Sequence, residues 1–264
     1  MKPSLLDTGP IIALLDRSDP WHAWVVPRIG GLRGRLVTTG AVVTEAMFFL
    51  QDAKDGIARL LEELDQQGLM ENTIVLFSSD NGPAFMLRAD QVPPGMNVDT
   101  RRFNCGFNGA KGSVYEGGIR VPMIARWPGH VPSGETSDQV WAFWDVLPTL
   151  AELVGVTPPV GIDGISMMPT LLGQLQEQEH EHLYWDYGHS RTNFQQAVRL
   201  GNWKGVRRSQ DQPLELYDLA NDIGETSDVA TGHPDVVEHI KQIIEESFVP
   251  TENYPITSRQ TGNQ

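Results

Sequence analysis

The spacing of apolar residues along the chain predicts an α/β protein. Residues 74–77 are four consecutive apolar residues between polar neighbours. Such a run predicts a short strand that is buried on both faces. Within residues 55–68, apolar residues recur at i, i+3, i+4 and i+7 from Ile57, which predicts an amphipathic helix. Gly68 follows as the residue that ends this helix.

A second helix is predicted over residues 145–155. Three leucines and Val154 give it one apolar face. Asp145 stands at its start, where a carboxylate can cap the exposed N–H groups. The predicted span runs to Gly155.

The C-terminal ninety residues, about a third of the chain, carry a different pattern. Short runs rich in β-branched and aromatic residues predict strands at 183–187, 196–200, 203–207 and 214–219. Gly201 and Asn202 separate two of these strands and predict a tight hairpin. Pro234 then opens a predicted helix with an apolar stripe. We expect a small antiparallel sheet with one helix, preceded by the polar, acidic stretch 174–182.

Asp80 and Asn81 follow the predicted strand at its carboxyl end. Ligands of α/β sheets bind beyond the carboxyl ends of the strands. A carboxylate beside a side-chain amide offers two hard oxygens, the ligand type that Ca²⁺ or Mg²⁺ prefers. Asp-Asn-Gly is also common turn chemistry, so an ordinary turn is the alternative.

Lys111 lies in a glycine-rich stretch, residues 107–122, which contains four glycines. Glycines let the backbone approach a ligand closely, and a lysine among them offers a compact cation to an anion. An ordinary surface lysine is the alternative. Glu116 and Arg120 are interpreted as structural, either as an ion pair or as turn anchors.

Three pieces of this sequence resemble the sulfatase family of the alkaline phosphatase superfamily. They are Ser79-Asp-Asn-Gly82, Gly109-Ala-Lys-Gly-Ser-Val-Tyr-Glu-Gly-Gly-Ile-Arg-Val-Pro122 and Ala125-Arg-Trp-Pro-Gly129. The resemblance runs from about residue 57 to the C-terminus. It implies part of an alkaline-phosphatase-like α/β sheet with helices on both faces, followed by a small C-terminal antiparallel sheet with a helix. The implied segments are 56–173 for part of the catalytic domain and 174–264 for the C-terminal subdomain.

The resemblance also implies a chemistry, the hydrolysis of sulfate monoesters as in arylsulfatases. Asp80 and Asn81 would be ligands of Ca²⁺, with Mg²⁺ possible, and Lys111 would contact the sulfate. The substrate would be a small sulfate ester or a sulfated glycan. Family members use a formylglycine made within Cys/Ser-x-Pro/Ala-x-Arg. Cys105-Gly-Phe-Asn-Gly lacks that motif, so Cys105 is interpreted as a loop thiol, no nucleophile is identified and the site is expected to be incomplete.

The first 55 residues resemble instead the start of a PIN-domain ribonuclease. The resemblance is carried by Leu6-Asp-Thr-Gly-Pro10, Asp16-Arg-Ser-Asp-Pro20 with His22, and Thr44-Glu-Ala46. It implies that Asp7 and Glu45 are two of the acids that bind Mg²⁺ or Mn²⁺. The further acids of that family are not found. A remnant of a metal-dependent ribonuclease and a non-catalytic binding or scaffold fragment therefore remain as alternative functions.

Charge and composition narrow the classes of partner. The 264 residues carry a net charge of −14, which argues against general nucleic-acid binding. Residues 1–50 hold five Lys+Arg and four Asp+Glu, a balance of +1, and the remainder balances at −15. No apolar run is long enough for a membrane span, and no signal-peptide pattern is found. A cytoplasmic location is expected from the sequence, although sulfatases are often periplasmic or secreted.

Overall fold

A computed structural model describes residues 4–5, 13, 20–30, 36–37, 56–83, 104–187 and 194–250. The predicted metal-binding acids of the PIN-like segment, Asp7 and Glu45, lie outside the described residues. The sequence also predicts helices at residues 11–15 and 42–50, and both lie outside the described residues apart from Ala13. The helices and strands are, in chain order, β1 (Ser4–Leu5), α1 (His22–Gly30), β2 (Leu36–Val37), α2 (Gly56–Gln66), β3 (Val75–Ser78), α3 (Glu116–Ile119), β4 (Met123–Arg126), α4 (Val146–Val154), α5 (Met168–Leu171), β5 (Leu183–Tyr187), β6 (Gln195–Leu200), β7 (Trp203–Arg207), β8 (Glu215–Asp218) and α6 (Pro234–Ser247).

The chain divides into two compact units, each made of two sequence segments. The first unit comprises residues 1–79 and 122–179, and the second comprises 80–121 and 180–264. The sequence predicts three continuous segments instead, residues 1–55, 56–173 and 174–264, which are assigned by family resemblance. A division of the chain into compact units does not test that assignment. The three segments stay a prediction.

The second unit contains the predicted C-terminal sheet. Strands β5, β6, β7 and β8 pair antiparallel in that order. Gly201 and Asn202 form the two-residue turn between Leu200 and Trp203, and Gly201 adopts the left-handed φ of +58° that such a turn requires. Helix α6 covers one face of the sheet through a buried apolar core. That core consists of Val198, Leu214, Leu216, Ile240, Ile243 and Ile244.

The first unit contains the predicted strand before Asp80, but its environment differs from the prediction. Strand β3 pairs antiparallel with β4, and within the described residues these two strands form the whole sheet. Phe77 is 37% exposed and Ile124 is 59% exposed. The prediction of a strand buried on both faces is therefore wrong for β3, because no further described strand extends this sheet.

The two predicted helices of the first unit are present, and both end at glycines. Gly68 and Gly155 adopt φ values of +66° and +71°, the left-handed conformation typical of a helix stop. Asp145, however, does not cap α4. One of its carboxylate oxygens accepts the Ala142 N–H at 2.7 Å and the other accepts the Ile165 N–H at 2.9 Å. The buried carboxylate thus joins two loops instead of capping the helix.

The N-terminal strands β1 and β2 pair in parallel, with Ser4 opposite Leu36. The sequence predicts short strands at residues 4–6 and 36–39, and β1 and β2 lie within them. Among the described residues, none of the helices has the length and apolar character needed to traverse a lipid bilayer.

Candidate functional site

The turn that carries Asp80 and Asn81 packs directly on helix α3 in the second unit. The Gly82 N–H donates to the Gly118 carbonyl at 2.8 Å. A Cβ added at Gly82 would lie 1.8 Å from the carbonyl oxygen of Gly117. Only a glycine permits this approach of two backbones. We call residues 80–83 the Asp80 turn.

Lys111 belongs to the segment that surrounds α3, residues 104–120, which we call the lysine loop. The Lys111 N–H donates to the carbonyl of Pro83 at 3.1 Å. This bond links the lysine loop to the Asp80 turn. The side chains of Asp80 and Lys111 are exposed, and that of Asn81 is half-buried. The structure therefore brings the three predicted site residues into one hydrogen-bonded assembly of backbone.

The glycines of the lysine loop allow it to fold tightly against itself. Gly117 lies where a Cβ would meet the carbonyl oxygens of Asn108 and Gly109 at 2.3 and 2.5 Å. Gly118 lies where a Cβ would meet the Ser113 carbonyl at 2.0 Å. The loop thus closes around the first turn of α3, and no larger residue fits these two positions without displacing backbone.

Asn104 is a residue of this site that sequence reasoning missed. Its side chain is buried, and its Nδ2 donates to the carbonyls of Gly109 at 3.0 Å and Gly117 at 2.9 Å. Both carbonyls belong to glycines of the loop. An asparagine in an irregular stretch carries no periodic signal, so only its position could have identified this role.

Glu116, Lys204 and Glu225 form a buried ion cluster beneath the lysine loop. The Lys204 Nζ lies 2.7 Å from Glu116 Oε1 and 3.7 Å from Glu225 Oε1. Burial raises the pKa of Glu225 to about 7, against the opposing attraction of Lys204. Burial acts on Glu116 in the same direction, but the charge and hydrogen bond of Lys204 outweigh it, and the pKa of Glu116 is lowered. The predicted ion pair of Glu116 with Arg120 is present at 3.4 Å.

The lysine loop also lies on the C-terminal sheet through Val114 and Tyr115. Val114 is buried in an apolar cluster with Ala197, Val206 and Tyr217. The Tyr115 hydroxyl donates to Glu215, which also accepts the Tyr217 hydroxyl at 2.9 Å. Burial and these bonds raise the pKa of both tyrosines, so both phenols stay protonated.

The donor chemistry of the Asp80 turn fits a hard divalent cation, because a carboxylate and an amide offer oxygen ligands. Two residues are fewer than a calcium site needs, and the described part of the chain contains no cluster of three or more His, Cys, Asp or Glu side chains that could hold a metal. Cys105 is exposed, with a left-handed φ of +53°. The assignment of Asp80 and Asn81 as metal ligands stays a prediction.

Two family models match this chain. A model described as Sulfatase matches residues 48–156, and one described as N-sulphoglucosamine sulphohydrolase, C-terminal, matches residues 107–249. The second covers more than half of the chain and spans the lysine loop and the C-terminal sheet. The first begins inside the PIN-like segment, and neither model supports a ribonuclease.

Two curated sulfatases and a solved structure are also similar to this chain. Human N-acetylgalactosamine-6-sulfatase is 29% identical over 235 residues, which cover 77% of this chain and 43% of that protein. Human arylsulfatase A is 30% identical over 220 residues, which cover 74% of this chain and 41% of that protein. A Bacteroides thetaiotaomicron structure, described in connection with the metabolism of multiple glycosaminoglycans, matches with a TM-score of 0.58 and 27% identity, covering 72% of this chain and 42% of that chain.

These matches confirm the predicted alkaline-phosphatase-like α/β fold class. The chain spans about two fifths of the length of the curated relatives it matches. Sulfatases generally depend on Ca²⁺, in line with the predicted cofactor class. None of these matches supports the expected cytoplasmic location. On the family models and the relatives together, the chain belongs to the sulfatase family.

Proposed function

We propose that the second unit carries part of a sulfate-ester site, in which Asp80 and Asn81 hold Ca²⁺ and Lys111 contacts the sulfate group. The observation that best supports the proposal is the backbone bond from Lys111 to Pro83, at 3.1 Å. It ties the lysine loop to the turn that carries the two metal-ligand candidates. A cation and two hard oxygen donors at neighbouring backbone positions suit an anionic ester held by a divalent ion.

Asp80 and Asn81 supply one carboxylate and one amide oxygen to the proposed metal. Ca²⁺ takes about six to eight oxygen ligands, so these residues form part of the set, and Mg²⁺ remains an alternative ion. When bound, the metal supplies positive charge for the sulfate oxygens. The Asp80 turn keeps both donors in place through the close packing of Gly82 on Gly117.

Lys111 supplies the second positive charge. Hydrolysis of a sulfate monoester breaks the bond between sulfur and the ester oxygen, and water adds to give an alcohol and sulfate. Negative charge builds on the leaving oxygen as that bond breaks. An ammonium group aimed at this oxygen stabilises the transition state more than the ground state.

The nucleophile is the part of the mechanism that these 264 residues do not supply in recognisable form. No Cys/Ser-x-Pro/Ala-x-Arg motif occurs in them. We therefore propose binding of the ester by this chain, with hydrolysis as the activity of its family. Chelator-sensitive binding without turnover is the expected behaviour.

The names of two relatives suggest the class of ligand. One acts on a sulfated N-acetylgalactosamine and the other on aryl sulfates, as their names state. We propose a small sulfate ester or a sulfated glycan as the ligand of this site. The net charge of −14 makes a nucleic acid an unfavourable partner.

Titration calorimetry with 4-nitrophenyl sulfate, with and without Ca²⁺, tests the proposal. We expect Ca²⁺-dependent binding that Lys111→Ala weakens by about tenfold, the effect of losing one charge-assisted hydrogen bond. Release of 4-nitrophenol is followed in the same samples, and none is expected.

Lys241→Ala is the matched control for charge. Lys241 lies on α6 in the same unit, with its side chain 46% exposed, and its removal should leave the affinity unchanged. Equal affinities of Lys111→Ala and the wild-type chain, or binding that ignores Ca²⁺, would contradict the proposed site. Turnover that Lys111→Ala abolishes would reveal a nucleophile outside the Cys/Ser-x-Pro/Ala-x-Arg motif.

A further inference from the structure

Lys204 has no role in the proposed function, yet its surroundings are unusual for a lysine. Its side chain is fully buried on β7, and the ammonium lies 5.4 Å from the centre of the Trp185 ring. Lysine is almost never fully buried unless it is paired. Here the partners are Glu116 and Glu225, with side chains 3% and 0% exposed.

The members of the buried ion cluster come from distant parts of the chain. Glu116 opens α3 in the lysine loop, Lys204 lies on β7, and Glu225 follows β8. Glu225 also accepts the backbone N–H of Glu116 at 2.8 Å. It does so from a left-handed backbone conformation, with φ of +50°. A non-glycine residue adopts that strained conformation only where the surrounding structure enforces it.

The same cluster faces further charged groups. Arg120 lies 3.4 Å from the second carboxylate oxygen of Glu116. Arg199 on β6 acts on Glu116 through its charge. Glu116 therefore receives positive charge from Arg120, which directly follows α3, and from β6 and β7. The ion pair with Lys204 holds the first turn of α3 against the C-terminal sheet.

Helix α3 in turn determines where Lys111 lies. Gly118 of α3 accepts the Gly82 N–H, and Gly117 donates to the Asn108 carbonyl at 2.6 Å. The carbonyls of Ala110 and Ser113 lie against the backbone of Gly118. A displacement of α3 would therefore move both the backbone of Lys111 and the Asp80 turn.

We propose that Lys204 is a positioning residue for the sulfate contact: through Glu116, and with Glu225, it anchors α3 and so keeps Lys111 in register with the Asp80 turn. The inference rests on the proposed function for its ligand. Its structural part, the anchoring of the lysine loop, is measurable without any ligand. Loss of Lys204 leaves two buried carboxylates without their main counter-charge, so the loop is the part that moves.

Lys204→Met tests the anchoring by amide hydrogen exchange. We expect the amides of Lys111, Glu116 and Gly117 to exchange at least about tenfold faster than in the wild-type chain. The amides of α6 should still exchange only through global unfolding of the variant. Affinity for 4-nitrophenyl sulfate with Ca²⁺ should fall by about tenfold at a temperature where the variant is folded. The matched control is Ile244→Ala, in a core cluster that contains no residue of the lysine loop. It should lower stability without changing the affinity or exposing the loop selectively.

A double-variant cycle shows whether Lys204 acts through Glu116. Glu116→Gln keeps an acceptor for the ammonium and is the milder change if Lys204→Met does not fold. We expect it to accelerate exchange at the same three amides to a smaller extent. In the double variant Lys204→Met/Glu116→Gln, the loss of binding free energy should be smaller than the sum of the losses in the two single variants. The reason is that the double variant contains no unpaired Glu116 charge.

Two outcomes would overturn the inference. One is a folded Lys204→Met chain with unchanged exchange in the lysine loop. The other is uniform acceleration across the second unit, as expected for Ile244→Ala, which would indicate a merely structural role. If the wild-type chain binds no sulfate ester, the proposed function fails, and the exchange data still decide whether Lys204 anchors the loop.

Discussion

Glu116 and Glu225 lie beside the same ammonium group, but their pKa values shift in opposite directions. Glu116 has the shorter contact with Lys204, 2.7 Å against 3.7 Å, and further positive charge from Arg199 and Arg120. Burial raises the pKa of Glu225 to about 7, and the more distant Lys204 offsets only part of this effect. Lys204 therefore keeps Glu116 ionised, whereas Glu225 stays protonated at a pH where an exposed glutamate is already ionised.

The raised pKa of Glu225 predicts a loss of stability with rising pH. The unfolded chain releases this proton near pH 4.5, whereas the folded chain keeps it to about pH 7. Stability therefore falls as the pH rises through this window. Glu116 has a lowered pKa, so it is already ionised there and adds no slope. Between pH 5 and 8, the wild-type chain should lose on the order of 2 kcal/mol relative to Glu225→Gln.

Chemical unfolding at several pH values measures this difference. Glu238→Gln is the control, because the Glu238 side chain is 80% exposed on α6. It should follow the wild-type curve. If the free energies of unfolding of the wild-type chain and of Glu225→Gln change in parallel with pH, the pKa of Glu225 is not raised by folding.

At the scale of elements, the site depends on a turn and a four-residue helix meeting at their backbones. Neither element has a hydrophobic core of its own. A hydrogen bond to Gly118 and a hydrogen bond from Lys111 are among the contacts that hold the Asp80 turn. Gly82 makes this contact possible, since its missing side chain leaves room for the Gly117 carbonyl.

Gly82→Ala should therefore disrupt the contact between the turn and α3. The new Cβ would lie 1.8 Å from a backbone oxygen, which must move. We expect a loss of about 1 to 3 kcal/mol in the free energy of unfolding. Affinity for Ca²⁺ and for 4-nitrophenyl sulfate should fall as well. Denaturant unfolding and titration calorimetry measure the two effects.

Gly232→Ala is the matched control for this substitution. Gly232 lies in a 3₁₀ turn of the same unit, Ala230–Gly232, and a Cβ there meets no atom within 4 Å. This variant should stay within about 0.5 kcal/mol of the wild-type chain, as surface changes usually do. A Gly82→Ala chain that is equally stable would mean that the turn and α3 separate easily.

At the scale of the whole molecule, the candidate site belongs to a discontinuous unit. Residues 80–121 pack with 180–264, although 58 residues of the first unit, 122–179, lie between them in sequence. The lysine loop has its main anchors in the C-terminal sheet and the loop after it. The stability of the site and the stability of that sheet are therefore linked.

This linkage predicts that calcium stabilises the folded chain. A ligand at about ten times its Kd adds roughly 1.4 kcal/mol to the free energy of unfolding. We expect the melting temperature to rise with CaCl₂ and to fall back with a chelator. Asp80→Ala should abolish the rise. Asp211→Ala, an exposed aspartate of the same unit, should retain it, and a melting curve insensitive to Ca²⁺ would argue against the metal site.

The sequence by itself determined the elements with a local signal. Periodicity predicted α2 and α4, Gly68 predicted the end of α2, and Gly201-Asn202 predicted the hairpin of the C-terminal sheet. Those patterns reflect backbone preferences within a few residues. The sulfatase motifs identified Asp80, Asn81 and Lys111 as candidates, and the family matches confirm the family that these motifs indicate.

Only the tertiary structure decided what supports those residues. Asn104 has no periodic or motif signal. Lys204 and Glu225 end stretches that resemble the sulfatase family, but the resemblance assigns them no role, because their roles depend on contacts with Glu116. The partners of Glu116 lie 88 and 109 residues further along the chain. Burial and pairing of charges across such separations arise when the sheet and the loop pack together, and no local pattern in the sequence encodes them.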